Sequence, residues 1–240
     1  MTNYFFRKAF TLAETLIVIG IIGVIAMLTI PTLNSSVGDK ESITRLKKEY
    51  AILTEAHDRA VAVYGPVSSW FINDSDATSQ TARYGNRLTE FLKLAKNCEM
   101  NTGGGCFNAY NNIADKTYGT SPDSSASEYK FLLADGGAVS LNVTNPTANS
   151  TDGHIGNIYI DINGTSKGTS TRGKDVFEFL FFNDRIAPAN GDDVDTNCFK
   201  NGQYCAKWII QNDNMDYLKA TNGTCPNGKA LNWNNQTSCK

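Results

Sequence analysis

Phe10-Thr-Leu-Ala-Glu14-Thr-Leu-Ile-Val-Ile-Gly20-Ile-Ile-Gly23-Val-Ile-Ala-Met-Leu-Thr-Ile-Pro31-Thr-Leu33 is apolar from end to end, with one charge, Glu14. As a helix rising about 1.5 Å per residue it reaches about 36 Å, enough to cross a hydrocarbon core of about 30 Å with slight tilt. Arg7 and Lys8 precede it and no basic residue follows at once, so the expected topology has a cytoplasmic N-terminus and the rest of the chain outside. The run is too long for the apolar region of a secretory signal peptide, and no clear Ala-x-Ala follows it. A plain signal anchor explains the length but not Glu14.

A carboxylate one turn inside an apolar helix costs a few kcal/mol on insertion scales, on the order of 3 kcal/mol, and such groups usually have a partner. Cleavage between Ala9 and Phe10 would create one. The new α-amino group of Phe10 would lie four residues from Glu14, on the same side of the helix start. The helix N-terminus also favours negative charge.

The stretch Lys8-Ala9-Phe10-Thr11-Leu12-Ala13-Glu14-Thr15-Leu16-Ile17-Val18 resembles the prepilin cleavage motif of type IV pilins and type II secretion pseudopilins. That family has a short basic leader, a small residue, Phe, Glu as fifth mature residue and a long apolar helix. It usually has Gly before the cut, where this chain has Ala9. The resemblance implies processing by a prepilin peptidase, N-methylation of Phe10, and assembly through Thr11, Glu14 and the helix-kinking Pro31. It also implies other pilin or pseudopilin subunits, an inner-membrane assembly platform and the membrane itself as partners. The expected localisation is the bacterial inner membrane, single-pass, then a filament in the periplasm or on the cell surface.

Past residue 33 the chain changes character. Residues 34–38 form a weak helix stretch, and an amphipathic helix follows. Ile43, Leu46, Tyr50, Leu53, His57, Ala60 and Tyr64 recur at 3-4 spacing, the signature of a buried stripe, with Glu49, Glu55, Asp58 and the basic residues off it. Core packing against the chain's own sheet is the expected use, and a coiled coil with another chain is the alternative. Gly65-Pro66 ends the helix.

The remainder is rich in Asn, Gly, Ser, Thr and Asp, a composition suited to loops over a modest core. Residues 67–86 read as a loop and 86–96 as a short helix. Residues 129–134 and 138–143 flank Asp135-Gly136-Gly137 as a hairpin. Residues 157–162 alternate as a strand, 176–182 form a buried strand or short helix, and 208–211 are a short apolar run. The expected class is α+β: a long N-terminal helix, membrane-spanning in its first half, packed on a small antiparallel sheet, with a disulfide-rich C-terminal region. The expected organisation is a leader at 1–9, an assembly helix at 10–33, its amphipathic continuation at 34–65 and a globular domain at 66–240.

Six cysteines in a loop-rich chain favour disulfides in an oxidising compartment. Pairs in chain order are expected: Cys98–Cys106, Cys198–Cys205 and Cys225–Cys239. No Cys-x-x-Cys is present, which argues against a zinc ribbon or thioredoxin-type site. Asp161, Asn163 and Asp175 begin and end a string whose Asp-x-Asn start is similar to a calcium loop. The match then fails, with Ser166 in place of the tight-turn Gly and Arg172 in place of the bidentate Glu. A glycine-rich strand connection is the expected reading and a Ca2+ site the alternative; no other cofactor is expected.

A net charge of −2 gives no reason to expect nucleic acid as a partner. Two histidines, with no nucleophile elbow, phosphate loop or HExxH, point away from an enzyme. The expected function is therefore a structural subunit of a type IV pilus-like filament. A type II secretion pseudopilin and a membrane-tethered binding module that never polymerises are the rivals.

Overall fold

A computed structural model of the chain describes residues 11–72, 74–113, 121–147, 152–190 and 194–240, and for residues 28–36 and 194–196 the backbone alone. Its elements are α1 (Leu12–Tyr64), α2 (Ala77–Thr89), β1 (Leu94–Glu99), β2 (Tyr110–Asn111), β3 (Tyr129–Leu133), β4 (Ala138–Val143), β5 (Gly156–Asp161), β6 (Ser170–Thr171), β7 (Val176–Phe181), β8 (Ile186–Pro188), α3 (Val194–Asn201) and α4 (Cys205–Asn212). The chain divides into an N-terminal unit ending at Glu41 and a compact unit, Ser42–Lys240.

The class is α+β. Six antiparallel strands form one sheet in the order β1-β3-β4-β5-β7-β8, and β2 and β6 form a short parallel ladder. Short connections join β3 to β4 and β7 to β8, which pair as hairpins. The β3–β4 hairpin turns at Asp135-Gly136-Gly137, with Gly136 at φ +95° and the Leu133 amide donating to the Gly137 carbonyl at 2.8 Å. Glycine meets that positive φ without a Cβ clash.

In the compact unit, α1 buries the expected stripe: Leu46, Leu53, His57 and Ala60 have no exposed surface. Tyr50 stacks on Phe179 of β7 at 4.9 Å, and its hydroxyl donates to the Ile186 carbonyl at 3.1 Å. Every residue of β7 is buried, which is why it lacks alternation. Phe177, Phe179 and Phe181 join the main core with α1 and α2. The opposite face is covered by residues from the long β1–β3 connection, where Phe107 and Tyr110 pack with Ala138 and Val176. On that face Glu178 meets Arg172 at 2.6 Å.

The segment between α1 and β1 departs from the sequence expectation. Residues 67–86 are not a loop: a 3-10 turn at Val67–Phe71 leads into α2, which is over by Thr89. The start is set by Asp76, whose carboxylate accepts from the Ser79 amide at 2.7 Å, and by Asp74, which meets Arg83 at 3.1 Å. Leu94 and Lys96, expected on a helix, instead pair with Leu133 and Leu132 as the sheet's edge. The free hydrogen-bonding edge of β3 outweighs a weak helical preference there.

Among the described residues no helix is long and apolar enough to cross a membrane. The apolar side chains described in the first half of α1 cover residues 12–27, about 24 Å of helix, short of a hydrocarbon core of about 30 Å. Residues 28–33 of the expected span, Pro31 included, are described by backbone alone, where α1 continues as helix, and Phe10 lies outside the described residues.

All six cysteines pair, as Cys98–Cys106, Cys198–Cys205 and Cys225–Cys239. The last bridge secures the chain end. Asp216 holds the same segment by accepting from the Ser238 hydroxyl at 2.7 Å and the Cys239 amide at 2.9 Å. Trp208 has no exposed surface and packs edge-on against Phe199, Tyr217 and Trp233.

Gly85 on α2 provides a sharp test of this packing. A Cβ there would lie 2.2 Å from Cγ of Tyr129. On an exposed helix Gly→Ala stabilises by about 1 kcal/mol; here Gly85→Ala is expected to destabilise by about 1–3 kcal/mol through overpacking. Urea denaturation of the full chain in detergent measures it, and a stabilised variant would contradict the α2–β3 contact.

Candidate functional site: the start of the long helix

Thr11 and Glu14 are brought together at the start of α1. The Glu14 carboxylate accepts from the Thr11 amide at 2.9 Å and the Thr11 hydroxyl at 2.8 Å, and the Glu14 amide donates to that hydroxyl at 3.3 Å. This is a capping box, in which Thr11 and the third helical residue satisfy one another's donors. Thr11-Leu-Ala-Glu14 matches the Thr-x-x-Glu pattern that signals it, a sign that a reading centred on the α-amino group of Phe10 passes over. Both side-chain bonds fall on Oε2 of Glu14. Ala9 and Phe10 lie outside the described residues, so the cleavage position and the Phe10 amine are not placed.

From this cap the helix presents apolar side chains on every face. Leu12, Leu16, Ile17, Val18, Ile19, Ile21, Ile22, Val24, Ile25 and Met27 are all exposed, Leu12 by 80%. Gly20 and Gly23 have nothing within 4 Å of a built Cβ. A helix that is hydrophobic all round is stable only when covered, by lipid or by other protein. Small residues on such a surface let a neighbouring helix approach closely.

The 161–175 string closes on itself. Asp161 accepts from the Asn163 amide at 3.0 Å and the Ser170 hydroxyl at 2.5 Å. Asp175 accepts from the Asn163 side-chain amide at 2.5 Å and the Thr171 amide at 3.0 Å. The Lys167 ammonium reaches Oδ1 of Asn163 at 3.4 Å. Burial pushes the Asp161 carboxyl up to about 6, against the hydrogen bonds that lower it. Each carboxylate oxygen already has a protein donor, and among the described residues no group of three or more acidic, His or Cys side chains is placed to share a metal. The residues do not fit a Ca2+ site; they form a hydrogen-bonded strand connection.

The two histidines stand in different settings. His154 sits in a turn, with Nδ1 2.5 Å from Asp152 and Nε2 2.9 Å from the Asn145 side chain. His57 is fully buried, with Nδ1 3.0 Å from the Tyr84 hydroxyl and no hydrogen-bond partner for Nε2. Burial lowers the His57 imidazole to about 4, and Asp184 only partly opposes this.

Unfolded chains take up the His57 proton near pH 6.5, whereas the native state resists until about pH 4, so stability falls as pH drops through that window. The full effect is roughly 3 kcal/mol. In unfolding curves at pH 7 and pH 4, His57→Phe should lose that much less on acidification than the native sequence. Equal losses would show that His57 is not buried neutral.

Comparison with known proteins finds no matching family, no matching curated relative and no matching solved structure.

Proposed function

We propose that this chain is a structural subunit of a type IV pilus-like filament, made as a prepilin. A prepilin peptidase cleaves it between Ala9 and Phe10 and methylates the Phe10 amine. Residues 10–33 hold it in the inner membrane, N-terminus cytoplasmic, until an assembly platform moves it into the filament. There its apolar helix packs against those of other subunits.

One observation carries the reading: Glu14 is the only charge in that apolar run, and it stands at the helix start. A helix that merely anchors a domain gains a cap from a carboxylate there but inserts less favourably than it would with leucine. The capping box gives Glu14 a local partner but uses one oxygen for both bonds. The other oxygen is the acceptor we assign to the Phe10 ammonium of an incoming subunit. In an apolar helix bundle of low effective dielectric that pairing outweighs its value in water. Out of register, it leaves a buried charge unpaired at about 3–5 kcal/mol. The pair thus sets axial register, and the apolar surface supplies the general attraction.

Three disulfides and a long C-terminal region held on the sheet support a subunit displayed outside the cell, in preference to the type II secretion pseudopilus that shares the same helix logic.

Two substitutions test the assignment. Glu14→Ala removes charge and cap; Glu14→Gln removes the charge but keeps a side chain that can complete a capping box. Both proteins should be inserted and processed normally, and both should yield at least tenfold fewer filaments by electron microscopy and immunoblotting of the sheared fraction. Normal filament numbers from Glu14→Gln would remove the charge from the account, normal numbers from both would remove Glu14 from assembly, and no filaments from the native sequence would favour the tethered module.

A further inference from the structure

Glu49 belongs to the packed half of α1, within the compact unit, and contradicts its charge. Read from sequence it lies off the buried stripe; in the structure it is 2% exposed. Its Oε2 accepts no hydrogen bond. Its Oε1 is pressed against the β3–β4 turn, where a Cβ on Gly137 would stand 2.3 Å away. The turn cannot retreat easily. A Cβ on Gly164 would come within 1.9 Å of the Gly136 carbonyl, so the loop after β5 backs directly onto it.

The charged groups around Glu49 come from three elements. Asp135 faces it from the turn, Asp161 from the end of β5, and Arg45 and Lys48 from α1 itself. The Lys48 ammonium is bound to Asp135 at 2.8 Å, and Arg45 reaches the Ile162 carbonyl at 3.4 Å. Two like charges therefore converge on a carboxyl that has no donor on its inner oxygen. A neutral acid is far cheaper to leave there than a carboxylate.

We propose that Glu49 is a proton-operated latch: protonated, it fills the seam between α1 and the β3–β4 turn, and ionised, it loosens that seam so that residues 46–53 of α1 open more often. Burial, reinforced by Asp135 and Asp161 and opposed by Arg45 and Lys48, lifts this carboxyl to about 8. A released glutamate ionises near its ordinary value of 4.5. The closed state is therefore fully favoured below pH 4.5 and loses its advantage progressively as pH rises towards 8. The two states differ by one proton, which lets a modest pH change shift their populations. The latch goes beyond the filament reading and holds whether or not the chain polymerises.

The full chain in detergent micelles serves for the test. Carbon NMR of labelled glutamate side chains reads the Glu49 midpoint, expected near pH 8. Amide exchange, normalised to the intrinsic rate at each pH, reads the helix. Protection of residues 46–53 should fall at least tenfold between pH 6 and pH 9 in the native sequence and stay level in Glu49→Gln. A Glu49 midpoint below pH 6, or an equal loss of protection in Glu49→Gln, would overturn the proposal. If Glu49→Gln fails to fold, the native protein still decides: a loss of protection that levels off at the pH where the Glu49 carboxyl titrates supports the latch, and a loss that continues more than one pH unit beyond it refutes it.

Discussion

The docking of the α1 stripe onto the antiparallel sheet is the contact on which the compact unit depends. Leu46, Leu53 and Ala60 have no exposed surface, and they share one core with Phe131, Ile158, Ile160 and the three phenylalanines of β7. Burying side chains of this size stabilises by about 1.5–3 kcal/mol each. Other features are arranged around that contact. Helix α2 flanks it, stacking Tyr84 on Phe181 at 3.9 Å. The hairpin turn abuts it through Gly137. Cys198 and Cys205, which join α3 to α4, belong to the same core, and each short disulfide closure contributes about 2–4 kcal/mol by constraining the unfolded chain.

Such docking lets one helix carry two chemically different surfaces. In residues 12–27 α1 is apolar on every side, and from Ile43 onward it is apolar on one side only. The change in pattern marks a change in what covers the helix. In the filament reading the first surface belongs to lipid and then to neighbouring subunits, while the second belongs to the chain's own sheet. The capping box at Thr11 and Glu14 starts the helix cleanly inside this apolar surface, and one carboxylate oxygen remains for a partner.

The parts of the fold most legible from sequence were those where one pattern dominated. The 3-4 spacing of the stripe, the Asp135-Gly136-Gly137 turn, the alternation of β5 and the pairing of neighbouring cysteines all correspond to what the structure contains. Legibility failed where tertiary partners decided. Residues 94–99 have the composition of a helix end and become a strand because β3 offers an open edge. Trp208 and its neighbours form part of α4, a distinction too short a run could not make. Glu49 was the hardest to see, since a charged residue next to a buried stripe reads as solvent-facing; its burial follows from the shape of the turn opposite. The capping box was visible as Thr-x-x-Glu and is purely local. At the candidate site, the proposed processing residues, Ala9 and Phe10, are read from the sequence motif.

The central claim is that the chain is a processed filament subunit, and its mature N-terminus tests this most directly. Intact mass and N-terminal sequencing of the protein, taken from a host with a prepilin peptidase, are expected to show a chain beginning at Phe10 and heavier than the cut chain by one methyl group. A chain that still begins at Met1, or one cut beyond Leu33, would contradict the account.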